Sequence, residues 1–273
     1  NYQTKRGCPH GCNYCSYPLI EGRTIRYQDP EHVVENLIRL NQTFGVDTVF
    51  FTDAVFNDGA DRYLEIAEWM IRKECRMRWA AYFRPRRMSG RDMRLLKQSG
   101  LYAIELGSDG ACDTVLRGMG KTFDFDTVLD MNRVCVREEV PCAHFFMFGG
   151  PGETEGTVEE GIVNINRLDH CVVFIFSGIR ILPDTGIRDI AVHHGIIDKA
   201  DPLFKPVYYH SPGVSKDWMN RELKNAFKRR KDRFFPPEEG NVRMRALKVF
   251  GFKGLLWDMA VNMPRARSRA VKP

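Results

Sequence analysis

Apolar positions along the chain keep two alternating rhythms. Short runs rich in Val, Ile, Phe and Tyr give way to polar loops and then to segments with helical spacing. The runs predict strands over Tyr2–Lys5, Thr48–Thr52, Arg78–Phe83, Ala103–Leu106, Ala143–Phe148 and Val172–Ile181, each bounded by turn residues. Ser177-Gly178 interrupts the last, which reads as one strand or two. In DPEHVVENLIRLNQTFG, Asp29 stands at the N-cap, Pro30 at the first helical position and Gly45 past the end. Val33, Val34, Leu37, Ile38 and Leu40 give that helix its apolar stripe. The same spacing predicts helices over Arg62–Lys73, Arg91–Gln98, Phe125–Glu138, Glu155–Leu168 and Ile187–His194, with Ser89 and Asp124 as caps of the second and third of these.

Six β/α units in succession imply a parallel sheet with right-handed crossovers. Eight would close a barrel; six leave a doubly wound open sheet or a partial (β/α)6 barrel. Both bind ligands at the C-terminal ends of the strands. That rule selects Arg6–Cys15, Thr52–Asn57, Arg84, Glu105–Asp109, Phe148–Glu153 and Arg180–Asp184, where the polar and Gly-rich chemistry of the chain gathers. The β/α pattern stops at Ala200. Residues 1–200 therefore read as the core, and residues 201–273 as a basic, mainly helical C-terminal extension.

Composition bounds the function. Hydrophobic residues make up 43% and charged residues 28% of the 273, enough for a large core and unlike a disordered chain. No apolar run reaches the roughly 18 residues of a membrane span. The opening NYQTKRGCPHG lacks the apolar centre of an export signal, so a cytoplasmic location is expected. It also lacks Met, which reads as a fragment with material upstream. The net charge of +6 is uneven: residues 216–273 hold 16 Lys+Arg and 6 Asp+Glu, leaving 25 against 29, or −4, for the remainder. The runs KRRKDRFF and PRARSRA in that region offer a solvated surface, contact with anionic lipid headgroups or contact with RNA, ranked in that order.

Of the eight cysteines, Cys8, Cys12 and Cys15 fall within eight residues, in RGCPHGCNYCSYP. Without an export signal a disulfide framework is not expected, and metal explains the cluster better. Cys135, Cys142 and Cys171 sit in apolar runs and read as small core residues. Gly7 and Gly11 let the loop turn sharply beside the first two thiols, and Pro9 stiffens it. Thiolates suit zinc or an iron–sulfur cluster. A structural zinc site wants four ligands, often in two separated pairs, and His10 would be a strained fourth. A cubane held by three cysteines leaves one iron open to a substrate.

C-x3-C-x2-C with Tyr14 before the third cysteine, at the end of the first strand of a β/α series, resembles the radical S-adenosylmethionine superfamily. So do TDAVFND after the second strand, IELGSDG after the fourth, FGGPGET after the fifth and RILPDTG after the sixth. The succession looks most like the branch carrying an N-terminal cobalamin-binding domain and associated with lipid biosynthesis. The resemblance implies a partial (β/α)6, TIM-barrel-like fold and a [4Fe-4S] cluster on Cys8, Cys12 and Cys15. The open iron would bind S-adenosylmethionine, which the cluster reductively cleaves to a 5′-deoxyadenosyl radical. It further implies radical methylation or C–C rearrangement of an unactivated small-molecule or lipid substrate, such as an isoprenoid. Cobalamin would come from a domain upstream of Asn1, and electrons from a flavodoxin- or ferredoxin-type donor. Two departures stand out: the second-strand motif is Thr52-Asp53-Ala54, and the cobalamin signature Asp-x-His-x-x-Gly is absent.

For cofactor contacts the resemblance points to Tyr14, Asp53, Arg84, Glu105, Ser108, Asp109, Gly149 and Gly150. Five of these have a plainer alternative. Asp53 could be a turn residue, Arg84 a rim charge, Glu105 half of an ion pair, and Gly149-Gly150 a tight strand-to-helix turn. His144, His170, His193 and His194 show no ligand spacing and read as structural, and Tyr208–His210 as core packing. No residue is singled out as a catalytic acid or base. Two other functions stay open: a radical RNA methylthiotransferase, in which the basic tail would bind tRNA, and a non-catalytic scaffold stabilised by metal.

Overall fold

The computed structural model describes residues 1–252 and 254–261. Ten strands occur among them: β1 (Lys5–Arg6), β2 (Arg26–Tyr27), β3 (Thr48–Phe51), β4 (Arg78–Phe83), β5 (Leu101–Asp109), β6 (Cys142–Phe148), β7 (Cys171–Ser177), β8 (Ile179–Arg180), β9 (Tyr208–Tyr209) and β10 (Arg233–Phe234). Ten helices accompany them: α1 (Tyr17–Glu21), α2 (Pro30–Phe44), α3 (Arg62–Arg72), α4 (Gly90–Gln98), α5 (Asp113–Gly118), α6 (Phe125–Arg137), α7 (Glu155–Asn166), α8 (Gly186–His193), α9 (Lys216–Phe227) and α10 (Glu238–Val249). A 3-10 turn covers Trp257–Ala260.

The main sheet is parallel throughout, in the order β10-β7-β6-β5-β4-β3. Five of its strands are those the hydrophobic runs predict. The predicted strand at Tyr2–Lys5 is largely replaced. Tyr2 makes one parallel bridge to Phe51, donating its N–H to the Phe50 carbonyl (2.9 Å), while Lys5–Arg6 turns away to pair with Arg26–Tyr27. The sixth strand of the sheet is instead Arg233–Phe234, from the extension. The run through Val172–Ile181 splits at Gly178, whose φ of +83° suits glycine, into β7 and β8.

Strand alternation sends side chains to opposite faces. One face packs under the helices: Phe51, Trp79, Phe83, Ile104, Leu106, Phe146 and Val173 meet Val33, Leu37, Met70, Leu96, Leu129 and Ile165. The other is lined by small residues, Ala80, Ala103 and Ala143, which leave a concavity. Phe174, Phe234 and Trp257 from the far end of the chain pack into that face. The helix starts are capped as the sequence predicts. Asp29 accepts from the N–H of His32 (3.0 Å), Ser89 from Asp92 (3.1 Å) and Asp124 from Thr127 (2.9 Å). Thr154 and Thr157 cap α7 reciprocally.

Part of the basic run is internal. Arg233 is buried, donating to the carbonyls of Leu168 (2.6 Å) and Cys171 (2.9 Å), and Arg230 pairs with Asp232 (3.0 Å). PRARSRA lies outside the described residues. Among the described residues no helix is long and apolar enough to cross a membrane.

Candidate active site

The loop after β1 carries Cys8, Cys12 and Cys15, all free thiols. It is anchored at both ends and in the middle. The N–H of Cys8 donates to the Gly22 carbonyl (3.0 Å) and that of Cys15 to Cys12 (3.2 Å). Asn13 between them donates its backbone N–H to Met119 (3.1 Å) and its side-chain amide to the Gly118 carbonyl (2.6 Å), and accepts from the N–H of Ile187 (2.8 Å). Gly120 must come within reach of this loop: its φ is +74°, and a Cβ there would lie 2.5 Å from the Gly11 carbonyl oxygen. The cysteines are thus positioned by the chain after α5 and by the start of α8.

The three cysteines line one cavity of about 220 Å³, with His10, Tyr14, Tyr82, Arg84, Gly107, Asp109 and Lys121 among its walls. Among the described residues no three His, Cys, Asp or Glu side chains converge to hold a single metal ion. All three thiols nonetheless line the same cavity. A cluster takes one thiol at each of three irons, whereas one tetrahedral zinc needs its sulfurs at about 2.3 Å from a single point.

The walls carry positive charge. Lys121, 7% exposed at its side chain, forms an ion pair with Asp109 and a hydrogen bond to the sulfur of Cys12. Burial alone would lower the ammonium pKa; Asp109 and Cys12 outweigh it and hold it above its ordinary value. Its Nζ lies 5.3 Å from the ring centre of Tyr14. The Tyr14 phenol is pushed well above its ordinary range by burial first and by Asp109 second. Arg84 lies 4.7 Å over the Phe123 ring and donates to Thr122 Oγ1 (2.7 Å). His10 is held low by burial, then by Arg84 and Lys121, which favours its neutral imidazole. Burial pushes the Cys15 thiol up. Asp109 holds a φ of +60°, unusual for a residue other than glycine.

The structure brings Cys8, Cys12, Cys15, Tyr14, Arg84 and Asp109 to this cavity and leaves the other predicted contacts outside it. Asp53 is fully buried and accepts from the backbone N–H of Thr4 (2.7 Å) and Lys5 (3.2 Å), so it clamps β1. Ser108 points to the helical side, 2.8 Å from His144 Nδ1, because it alternates with Gly107 and Asp109. Glu105 lies deeper on the concave face, accepting from Trp257 Nε1 (2.9 Å). Gly149 donates to Glu153 (3.0 Å), and a Cβ on Gly150 would meet Met119 at 2.8 Å; both build the turn into α7. Sequence reasoning missed Lys121. The signal available was a single cation in GMGKTF, with no motif around it.

Comparison with known proteins fits this geometry. The family model of the Radical SAM superfamily matches residues 2–162, more than half of the chain. An uncharacterized methyltransferase of Pyrococcus horikoshii is 24% identical over 221 residues, 78% of this chain and 48% of its own. The tryptophan 2-C-methyltransferase of Streptomyces laurentii is 24% identical over 198 residues, 67% of this chain and 33% of its own. Among solved structures, the radical S-adenosylmethionine methyltransferase TsrM of Kitasatospora setae, with cobalamin and a [4Fe-4S] cluster bound, superposes with a TM-score of 0.80 at 19% identity. The match covers 94% of this chain and 58% of that one, so the partial-barrel fold is shared. The chain spans less than two thirds of each of these proteins.

Proposed function

Because this chain belongs to the Radical SAM superfamily, we propose that it is the cluster- and S-adenosylmethionine-binding core of a cobalamin-linked radical methyltransferase. The observation that carries the reading is the cavity at the strand ends. Three free thiols of C-x3-C-x2-C share it with two cations, Lys121 and Arg84. The donor set fits an iron–sulfur cluster: soft ligands, three of them, with positive charge beside them to offset the negative charge of thiolates. When bound there, a [4Fe-4S] cluster supplies the electron that splits the sulfonium of S-adenosylmethionine.

In this reading the residues of the chain bind and shield. Cys8, Cys12 and Cys15 ligate. Lys121 holds its ammonium between Cys12 and Asp109. Arg84 holds a cation over the cavity rim, fixed by Phe123 and Thr122. Tyr14, whose phenol stays protonated, closes the wall beside Cys15. Methyl transfer and cobalamin are suggested by the relatives named for them, with the cobalamin-binding segment lying in sequence upstream of residue 1 and a flavodoxin- or ferredoxin-type protein as electron donor. None of the three relatives is named for a lipid, so the lipid or isoprenoid substrate rests on the branch resemblance alone.

Anaerobic reconstitution with iron and sulfide tests the reading. About four irons per chain are expected, and Cys12→Ala should lose most of them. With dithionite, the reconstituted chain should convert S-adenosylmethionine to methionine and 5′-deoxyadenosine. A colourless protein carrying one zinc per chain would sink the proposal. Methyl transfer by a longer chain that ignores added methylcobalamin would remove the cobalamin part alone.

A further inference from the structure

We infer that the concave face of the sheet, at Glu105, is a subsite for a flat aromatic group bearing a protonated nitrogen; the inference rests on the catalytic reading above, since it names the substrate class of that same lumen.

Two further cavities lie on the concave face, linked to the cysteine cavity by shared wall residues. Tyr82 borders both the cysteine cavity and a space of about 430 Å³ that also touches Glu105. Glu105 in turn borders a third, of about 280 Å³, walled by Phe145, Phe174, Phe176 and Trp257. Glu105 and Gly107 are two residues apart on β5, hence on one face and about 7 Å apart. Glu105 thus sits about 7 Å below the level at which Gly107 lines the cysteine cavity.

The walls specify what fits. Glu105 is 8% exposed, and among the described residues the Trp257 N–H is the one hydrogen bond reaching its carboxyl. A carboxyl at that depth is costly to ionise without a partner, and burial pushes its pKa up. A cationic or N–H-bearing group arriving beside it restores the charge with a charge-assisted hydrogen bond. The aromatic walls favour the same ligand: their ring faces attract cations and stack on flat π systems. Phe176 is 37% exposed at the mouth, free to receive a ring. The charge at the rim selects further. Glu238 lines the 280 Å³ cavity, and among the described residues no lysine or arginine does. A fatty carboxylate or phosphate would meet Glu105 and Glu238 there and, among the described residues, no lysine or arginine.

The test is ligand-observed NMR titration of the chain with three probes: 2-phenylethylamine, its neutral analogue 2-phenylethanol, and octanoate. The amine is expected to bind at least tenfold more tightly than the alcohol and octanoate. Glu105→Gln should erase the amine's advantage while leaving the alcohol unchanged. Phe176→Ala should weaken amine and alcohol alike and preserve their ratio. It supplies a second readout if the Glu105 variant fails to fold. Equal binding of alcohol and amine, tighter binding of octanoate, or an amine preference that survives Glu105→Gln would each overturn the inference. The titration needs no turnover. A chain that cleaves no S-adenosylmethionine yet prefers the amine refutes the catalytic reading and spares the subsite; the reverse result does the opposite.

Discussion

Lys121 and His144 show how single buried groups set the behaviour of this chain. Replacing Lys121 by Met removes the cation shared by Asp109 and Cys12 and leaves the largely buried Asp109 carboxylate without its counter-charge. The expected loss is about 3 kcal/mol in chemical denaturation, together with lower iron retention. Lys121→Met with Asp109→Asn should recover much of the stability and little of the iron. His144 is fully buried against Ser108 and Asn132, and burial lowers its pKa to about 3. Its folded pKa lies below the unfolded value of about 6.5, so the unfolded chain takes up the proton first as pH falls. Stability should hold above pH 6.5 and drop by up to about 1.4 kcal/mol per pH unit from there toward pH 3. His144→Gln should flatten that slope in urea melts taken across the range. Part of this was legible at the residue level. The three cysteines are neighbours in sequence, so their chemistry shows in their spacing. The parity of β5 also distinguishes Ser108 from Glu105, Gly107 and Asp109, a signal the motif resemblance overrode. Lys121 was not legible, because its partners lie 12 and 109 places from the beginning of the chain and nothing local marks the meeting.

Elements long enough to show a period were legible, and those defined by their neighbours were not. The helix α2 has its cap, Pro and terminal Gly in place, and it forms where they predict. Asp29→Ala should cost it about 1 kcal/mol, measurable as a lower thermal midpoint with an unchanged fold. The short helix α5 spans only Asp113–Gly118, too few residues for a stripe to register. Strand β10 has two residues and exists because β7 offers an edge. The segment between α5 and α6 is where element and site meet. Gly120→Ala would place a methyl 2.5 Å from the Gly11 carbonyl and force a left-handed residue to carry a Cβ. The backbone term alone costs about 1–2 kcal/mol. The expected phenotype is a normal far-ultraviolet spectrum with reduced iron content after reconstitution.

At the scale of the whole molecule, the extension completes the sheet. β10 covers the β7 edge, α9 lays Met219, Leu223 and Phe227 into the main core, and Trp257 packs on the concave face. A chain stopped after Ser215 would expose that edge and those residues, and it should aggregate where the longer chain does not, as read by sedimentation. The charge asymmetry of the sequence hid this, since a basic tail suggests surface while Arg233 is structural. The pinning of the cysteine loop by Asn13 has a consequence in time. Its amide reaches a carbonyl 105 residues later, and its own carbonyl is held by Ile187. During synthesis these thiols leave the ribosome before Gly118 and Ile187 and wait for most of the core before those contacts hold them in register. Iron delivered to the nascent chain would meet an unpinned eight-residue segment carrying three thiols, prone to wrong metals and oxidation. Iron loading is therefore expected after translation: radiolabelled iron should appear on released chains and not on ribosome-bound ones.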